Sequence, residues 1–187
     1  MKNGAAEQKI QDVAGEHAES PVQKNQGTEM KGTLQVVEFL LGKEHYAIDL
    51  FDVREVVEYT TITKLPDTPA YMRGIIDLRG ETTTIIDLRM RLNIQDAPDQ
   101  PEENSRIIVL DEKITRGKTG IMVDDVLAVS TFERGDIDST SSAGGREDSS
   151  IIGIIKKKIR EKDHEKNELI IWIDIRRLLN GIGQETR

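Results

Sequence analysis

Three histidines, one Asp-Asp pair and a scatter of hydroxyls are the groups in this 187-residue chain that could do chemistry. A catalytic or zinc-binding histidine needs a second histidine or a placed carboxylate within reach. His17 falls in a polar leader, and His45 and His164 fall in predicted hairpin turns without such a companion. They read as exposed turn residues. Asp124 and Asp125 follow an apolar strand and could in principle hold a cation, yet no glycine-spaced, oxygen-rich loop of calcium type surrounds them. Ser141 and Ser149 lie in a flexible loop, where catalytic geometry is hard to hold. The absence of cysteine removes disulfides, thiol catalysis and thiolate metal sites together. No glycine-rich phosphate loop, nucleophile elbow or pair of facing carboxylates can be assembled. The residues therefore predict no enzyme, no metal and no cofactor, and what is left is a binding surface.

Arg79 and Gly80 sit in the middle of residues 74–89, GIIDLRGETTTIIDLR. Ile75, Ile76 and Leu78 precede the pair and a β-branched run follows it, so the stretch predicts a β-hairpin. Gly80 can take positive φ and close the turn while Arg79 stays at the rim. The pattern returns later: Gly153, Ile154 and Ile155 open a second hairpin that ends in Ile171-Trp172-Ile173-Asp174-Ile175-Arg176. A shift of 73 also sets Val36 on Val109, Asp52 on Asp125, Val53 on Val126 and Val56 on Val129 without a gap. Asp124 then falls on Phe51, so only Asp125 has an acidic counterpart, as a structural turn would give. Self-similarity of this kind predicts two copies of one strand-and-turn plan.

The elements follow in order. Residues 34–40 predict a strand, residues 42–45 a polar turn and residues 46–50 the return strand. Residues 52–57 continue extended or as a short turn then a strand; the valines weigh against a helix. Pro66 and Pro69 make residues 60–73 a surface connection. Residues 87–92 turn helical, and residues 95–105, with Pro98 and Pro101, form a polar linker. The second half runs through strands at 106–111, 119–123 and 125–132, then a long mobile loop at 133–150. A short helix at 174–180 is closed by Gly181. The fold class is mainly β: two small barrels, each too small to be firmly stable alone, burying a shared apolar seam. A single sandwich without internal symmetry is the alternative.

With 36% hydrophobic but only 4% aromatic residues, that core is built of Ile, Val and Leu. No apolar run approaches the ~18 residues needed to cross a bilayer, and the start carries no secretory signal. Residues 1–30 are expected to be a disordered leader and residues 182–187 a tail. A soluble, intracellular protein is the plain expectation. A net charge of −8 disfavours nucleic acid and anionic membranes, leaving proteins as partners.

The blocks FLLGKEHYAIDLFDVREVVEY and LPDTPAYMRGIIDLRGETTTIIDLR, followed by IIVLD, TGIMVDDVLAV, IIGII and LIIWIDIRRLL, resemble the CheW family of chemotaxis coupling proteins from Leu34 to Asn180. The resemblance implies a CheW-like domain over residues 31–181, made of two intertwined five-stranded barrels at roughly 34–95 and 106–175. It implies a cytoplasmic, non-catalytic adaptor at receptor arrays, binding the regulatory domain of the histidine kinase CheA and the cytoplasmic tip of a chemoreceptor. It carries the kinase surface to Asp52, Val53, Glu55 and Val56, and the receptor surface to Arg73, Gly74, Arg79 and Gly80. Two departures stand out. Thr84 occupies a place where the family commonly has proline, and Gly144 and Gly145 stand where many members have prolines.

Two other readings belong beside this one. An adaptor of a related receptor-kinase pathway, controlling pilus motility or gene expression, would look the same in sequence. A small β-barrel hydrolase or ligand-binding protein would need a concave pocket with converging polar groups.

Overall fold

Short runs of isoleucine and valine bounded by polar turns become eleven strands in the computed structural model, which describes residues 32–94, 100–115, 117–139, 150–161, 164–180 and 182. The strands are β1 (Thr33–Leu41), β2 (Glu44–Asp49), β3 (Val53–Glu58), β4 (Met72–Leu78), β5 (Glu81–Asp87), β6 (Arg106–Leu110), β7 (Thr119–Val123), β8 (Asp125–Glu133), β9 (Ile137–Ser139), β10 (Ile151–Glu161) and β11 (His164–Ile173). One-turn helices α1 (Leu88–Arg91) and α2 (Ile175–Leu179) follow β5 and β11. His17, Ser141, Ser149, Gly144, Gly145 and Gly181 lie outside the described residues, as do the leader and most of the tail.

The strands form two sheets, one of five ordered β3-β6-β7-β5-β4 and one of six ordered β8-β1-β2-β11-β10-β9. The sheets are not the halves of the sequence. β1 and β2 pair with β8 and β11 of the second half, while β6 and β7 complete the sheet of β3, β4 and β5. Two of the pairings are parallel, β2 with β11 and β5 with β7, and each joins an early strand to a late one, as do the antiparallel pairs β1 with β8 and β3 with β6.

Alternating side chains explain why the two sheets hold together. Val36 points into a cluster with Ala47, Phe132, Ile155 and Ile170, whereas its neighbour Val37 joins a larger cluster with Phe39, Ile86, Ile108, Ile121 and Ile173. Ile85, Ile107 and Met122 line the interior of the five-stranded sheet, while Ile86, Ile108 and Ile121 beside them face the larger cluster. A strand with period two thus feeds one small interior and one shared seam. The seam takes residues from both sheets and from α1 and α2, and it is the largest apolar cluster. At about 25 cal/mol per Å² of apolar area removed from water, burial here is the main stabilising term.

Three expectations change. The loop predicted at 133–150 is ordered in its first part: Glu133 and Asp136 cap one another's backbone around a 3-10 turn, and β9 then pairs with β10 at Gly153. Ile137 supplies the reason, since it packs against the cluster of the six-stranded sheet. The extra strand makes that sheet six-stranded where five were expected. His45 is not an exposed turn residue but part of β2, half-buried, with Nδ1 2.9 Å from Glu168 Oε1, an attraction when the ring is protonated. His164 opens β11 opposite Glu161.

Candidate functional site

Asp49 starts the first surface. Its side chain accepts from the Phe51 N–H at 2.9 Å, capping a 3-10 turn at Leu50–Asp52 that leads directly into β3. The turn throws the Phe51 ring into solvent, with 75% of the residue exposed. Asp52 goes the other way. It is buried and accepts from Arg176 Nε at 2.9 Å and Nη2 at 2.5 Å. These bonds raise the Arg176 pKa above its already high value, so the guanidinium stays charged at any ordinary pH.

Among the described residues β3 is an edge strand, paired only with β6. Along it Val53 packs against the seam and Val57 against the interior of its own sheet, while Val56 is exposed. Of the four residues expected to meet the kinase, Val56 and Glu55 therefore reach the surface, Val53 is half-buried core and Asp52 holds the turn together. The apolar group that the turn presents most openly is Phe51, which the motif comparison passed over. An aromatic flanked by charges in a turn leaves no period to betray its exposure.

The second surface is the turn between β4 and β5. Arg79 and Gly80 both have positive φ, 56° and 82°. That is the two-residue hairpin turn whose twist matches the strands it joins, and the Gly80 N–H donates to Asp77 Oδ1 at 2.7 Å. Arg79 thus occupies a left-handed conformation that glycine adopts more cheaply, a feature not foreseen from sequence. Its side chain is 74% exposed, and Nη1 and Nη2 donate to Glu55 Oε1 and Oε2 at 3.3 and 2.7 Å. One predicted receptor residue and one predicted kinase residue therefore meet in a single two-point ion pair.

The other predicted receptor residues do not join them. Arg73 and Gly74 lie at the opposite end of β4, about five strand residues away or roughly 17 Å at strand rise. Arg73 occupies a bulge in the β4–β5 register and pairs with Glu102 through Nη2. That hydrogen bond, outweighing partial burial, raises its pKa further. Gly74 has φ of 139°, and an added Cβ would stand 2.1 Å from the Thr63 carbonyl oxygen. Thr63 and Ile75 exchange backbone bonds of 2.8 and 2.9 Å there. The glycine is needed for that close approach.

The acidic pair considered for a cation is otherwise engaged. The Asp124 carboxylate accepts from Arg89 Nε at 2.9 Å and from the Gly42 N–H at 2.6 Å, while Asp125 Oδ1 accepts from the Val126 N–H at 2.9 Å. At Thr84, the residue standing in place of proline, the N–H donates to the Lys118 carbonyl at 2.9 Å, joining β5 to the chain before β7. A proline could not make that bond. Among the described residues no three acidic or imidazole groups gather to hold a metal. No described helix is long and apolar enough to cross a membrane.

The model of the CheW-like domain matches residues 35–183, which takes in both sheets and both surfaces. The chain belongs to the CheW-like family. Among relatives, a probable chemotaxis protein CheW of Rhizobium etli is 32% identical over 54% of this chain and 63% of its own length. The chemotaxis protein CheW of Treponema pallidum is 28% identical over 79% of this chain and 82% of its own. The crystal structure of the scaffolding protein TtCheW from Thermoanaerobacter tengcongensis superposes with a TM-score of 0.65 at 32% identity, covering 83% of this chain and 98% of that one. The CheW-like fold expected from the motifs, mainly β with a short C-terminal helix, is the fold observed.

Proposed function

We infer that this CheW-like chain is a chemotaxis adaptor that couples chemoreceptors to the histidine kinase CheA without catalysing a reaction. The observation that carries the reading is the family match, which runs through both sheets. The likeness to proteins named for chemotaxis and to one described as a scaffold supports it.

The finer assignment is to the kinase regulatory domain at the β3 edge and to the cytoplasmic tip of a receptor at the β4–β5 turn, in the cytoplasm at receptor arrays. The kinase surface is anchored by Phe51 and Val56, with Glu55 setting charge selectivity and Val53 and Asp52 holding the turn and strand that present them. Exposed aromatic anchors beside a charged rim are the composition of a binding hot spot. The receptor surface centres on Arg79 and Gly80, with Arg73 and Gly74 fixing the far end of β4. Arg79→Glu is expected to weaken receptor coupling in a pull-down while the Tm stays nearly unchanged, and Phe51→Ala to weaken kinase capture while sparing the receptor. Wild-type recovery of the receptor by Arg79→Glu would remove the site assignment.

A further inference from the structure

Strands β10 and β11 are longer than the sheet that holds them. β9 pairs with β10 only from Gly153 to Ile155, and β2 pairs with β11 only from Ile170 to Trp172. From Lys156 to Glu161 and from His164 to Leu169 the two strands pair only with each other among the described residues. A two-stranded ribbon without a third strand or a covering helix is marginal in water. Its outer length therefore adds little to the fold.

The charge of this ribbon opposes that of the chain. In a protein of net charge −8, Lys156, Lys158 and Arg160 follow one another at every second residue of β10. Alternation puts the three on one face, about 7 Å apart. Register brings Leu169, Asn167 and Glu165 opposite them on the same face. Lys156, Lys158 and Arg160 are all exposed, and Leu169, opposite Lys156 at the inner end of the row, is 56% exposed. The base is fixed by a different set of contacts. Lys157, on the opposite face, donates to the fully buried Glu38 at 2.7 and 2.9 Å. Two of the three face cations have acidic neighbours of their own, Lys156 with Asp138 at 2.5 Å and Arg160 with Glu165 at a loose 3.7 Å.

We propose that this face of the β10–β11 ribbon is a docking arm for an acidic protein helix, one that carries a row of carboxylates with an apolar side chain beside its first member. Carboxylates four residues apart on a helix rise by about 6 Å, close to the spacing of the three cations, and the apolar side chain would cover Leu169. A protein fits better than nucleic acid. Glu165 within the row, the exposed leucine and the negative charge of the whole chain all count against a phosphate polymer. The arm is separate from the β3 edge and the β4–β5 turn, so its failure would leave the adaptor reading intact.

The test uses the full chain and a 21-residue helical peptide with glutamates at i, i+4 and i+8 flanking leucines, followed by NMR. Shift changes are expected at Lys156, Lys158, Arg160 and Leu169, with a dissociation constant that rises at least fivefold from 50 to 300 mM NaCl. Lys156→Gln/Lys158→Gln/Arg160→Gln should weaken binding at least tenfold at 50 mM NaCl, and Leu169→Ser about threefold, both with the wild-type Tm. Equal binding by the triple variant would overturn the proposal. So would tighter binding of a 20-base-pair DNA duplex or of phosphatidylglycerol vesicles to the ribbon than of the peptide.

Discussion

The unit that ends β5 and the unit that ends β11 are built alike and finish differently. In the first, Asp87 caps α1 by accepting from the Met90 N–H at 3.2 Å; in the second, Asp174 caps α2 by accepting from the Arg177 N–H at 2.9 Å. Two residues after each cap stands an arginine that reaches into the opposite half of the sequence, Arg89 to Asp124 and Arg176 to Asp52. The Arg89 pair is buried on both sides and encloses the backbone of Gly42 in the β1–β2 turn. The Arg176 pair has a buried carboxylate but a guanidinium 60% exposed. The same plan thus yields an internal tie in one place and a charged surface beside Phe51 in the other. Burial, and not the kind of residue, decides what an arginine contributes.

Replacing Arg89 by leucine breaks the comparison most severely. It leaves the Asp124 charge buried with one backbone donor, and ~3–5 kcal/mol of stability should be lost in urea denaturation. A loss under ~1 kcal/mol would mean that water reaches the site. Gly74→Ala should cost ~3 kcal/mol, from left-handed strain and the clash with Thr63, seen as a lower urea midpoint. Arg176→Leu is expected to cost ~1–2 kcal/mol, since Asp52 loses its donors while the arginine itself had been mostly in water. If Arg176→Leu were as costly as Arg89→Leu, the contrast drawn from exposure would fail. Arg79→Glu should shift stability by less than ~1 kcal/mol, because its pair with Glu55 lies at the surface. Phe51→Ala should leave the unfolding free energy unchanged within ~0.5 kcal/mol in urea denaturation, as an exposed side chain removed from a turn.

How much of this was readable depended on whether the controlling contact was local. Ile and Val runs placed nearly every strand, because alternation writes itself into neighbouring residues. Repetition of Ile-Asp-x-Arg exposed a matched pair of segments, though not that Asp87 and Asp174 cap the helices that follow. The 73-residue register set Asp125 opposite Asp52, but the carboxylate that meets Arg89, as Asp52 meets Arg176, is Asp124. Glu55 and Arg79 lie 24 positions apart, and nothing near either announces their contact. Positive φ at Arg79 was hidden because the adjacent glycine seemed sufficient to make the turn. β9 was hidden by brevity: three residues after a Gly-containing turn carry too little pattern to distinguish them from loop.

The weave of early and late strands bears on how the protein is born. β2 takes as its parallel neighbour a strand made almost last, and β1 likewise waits for β8. Loop closure over such separations is slow relative to local hairpins. A nascent chain halted after β5 would therefore hold open strand edges on the ribosome; the five-stranded sheet has all its strands once β7 is made, whereas the six-stranded sheet waits for β11. Two fragments cut near residue 100 should regain the fold only when mixed.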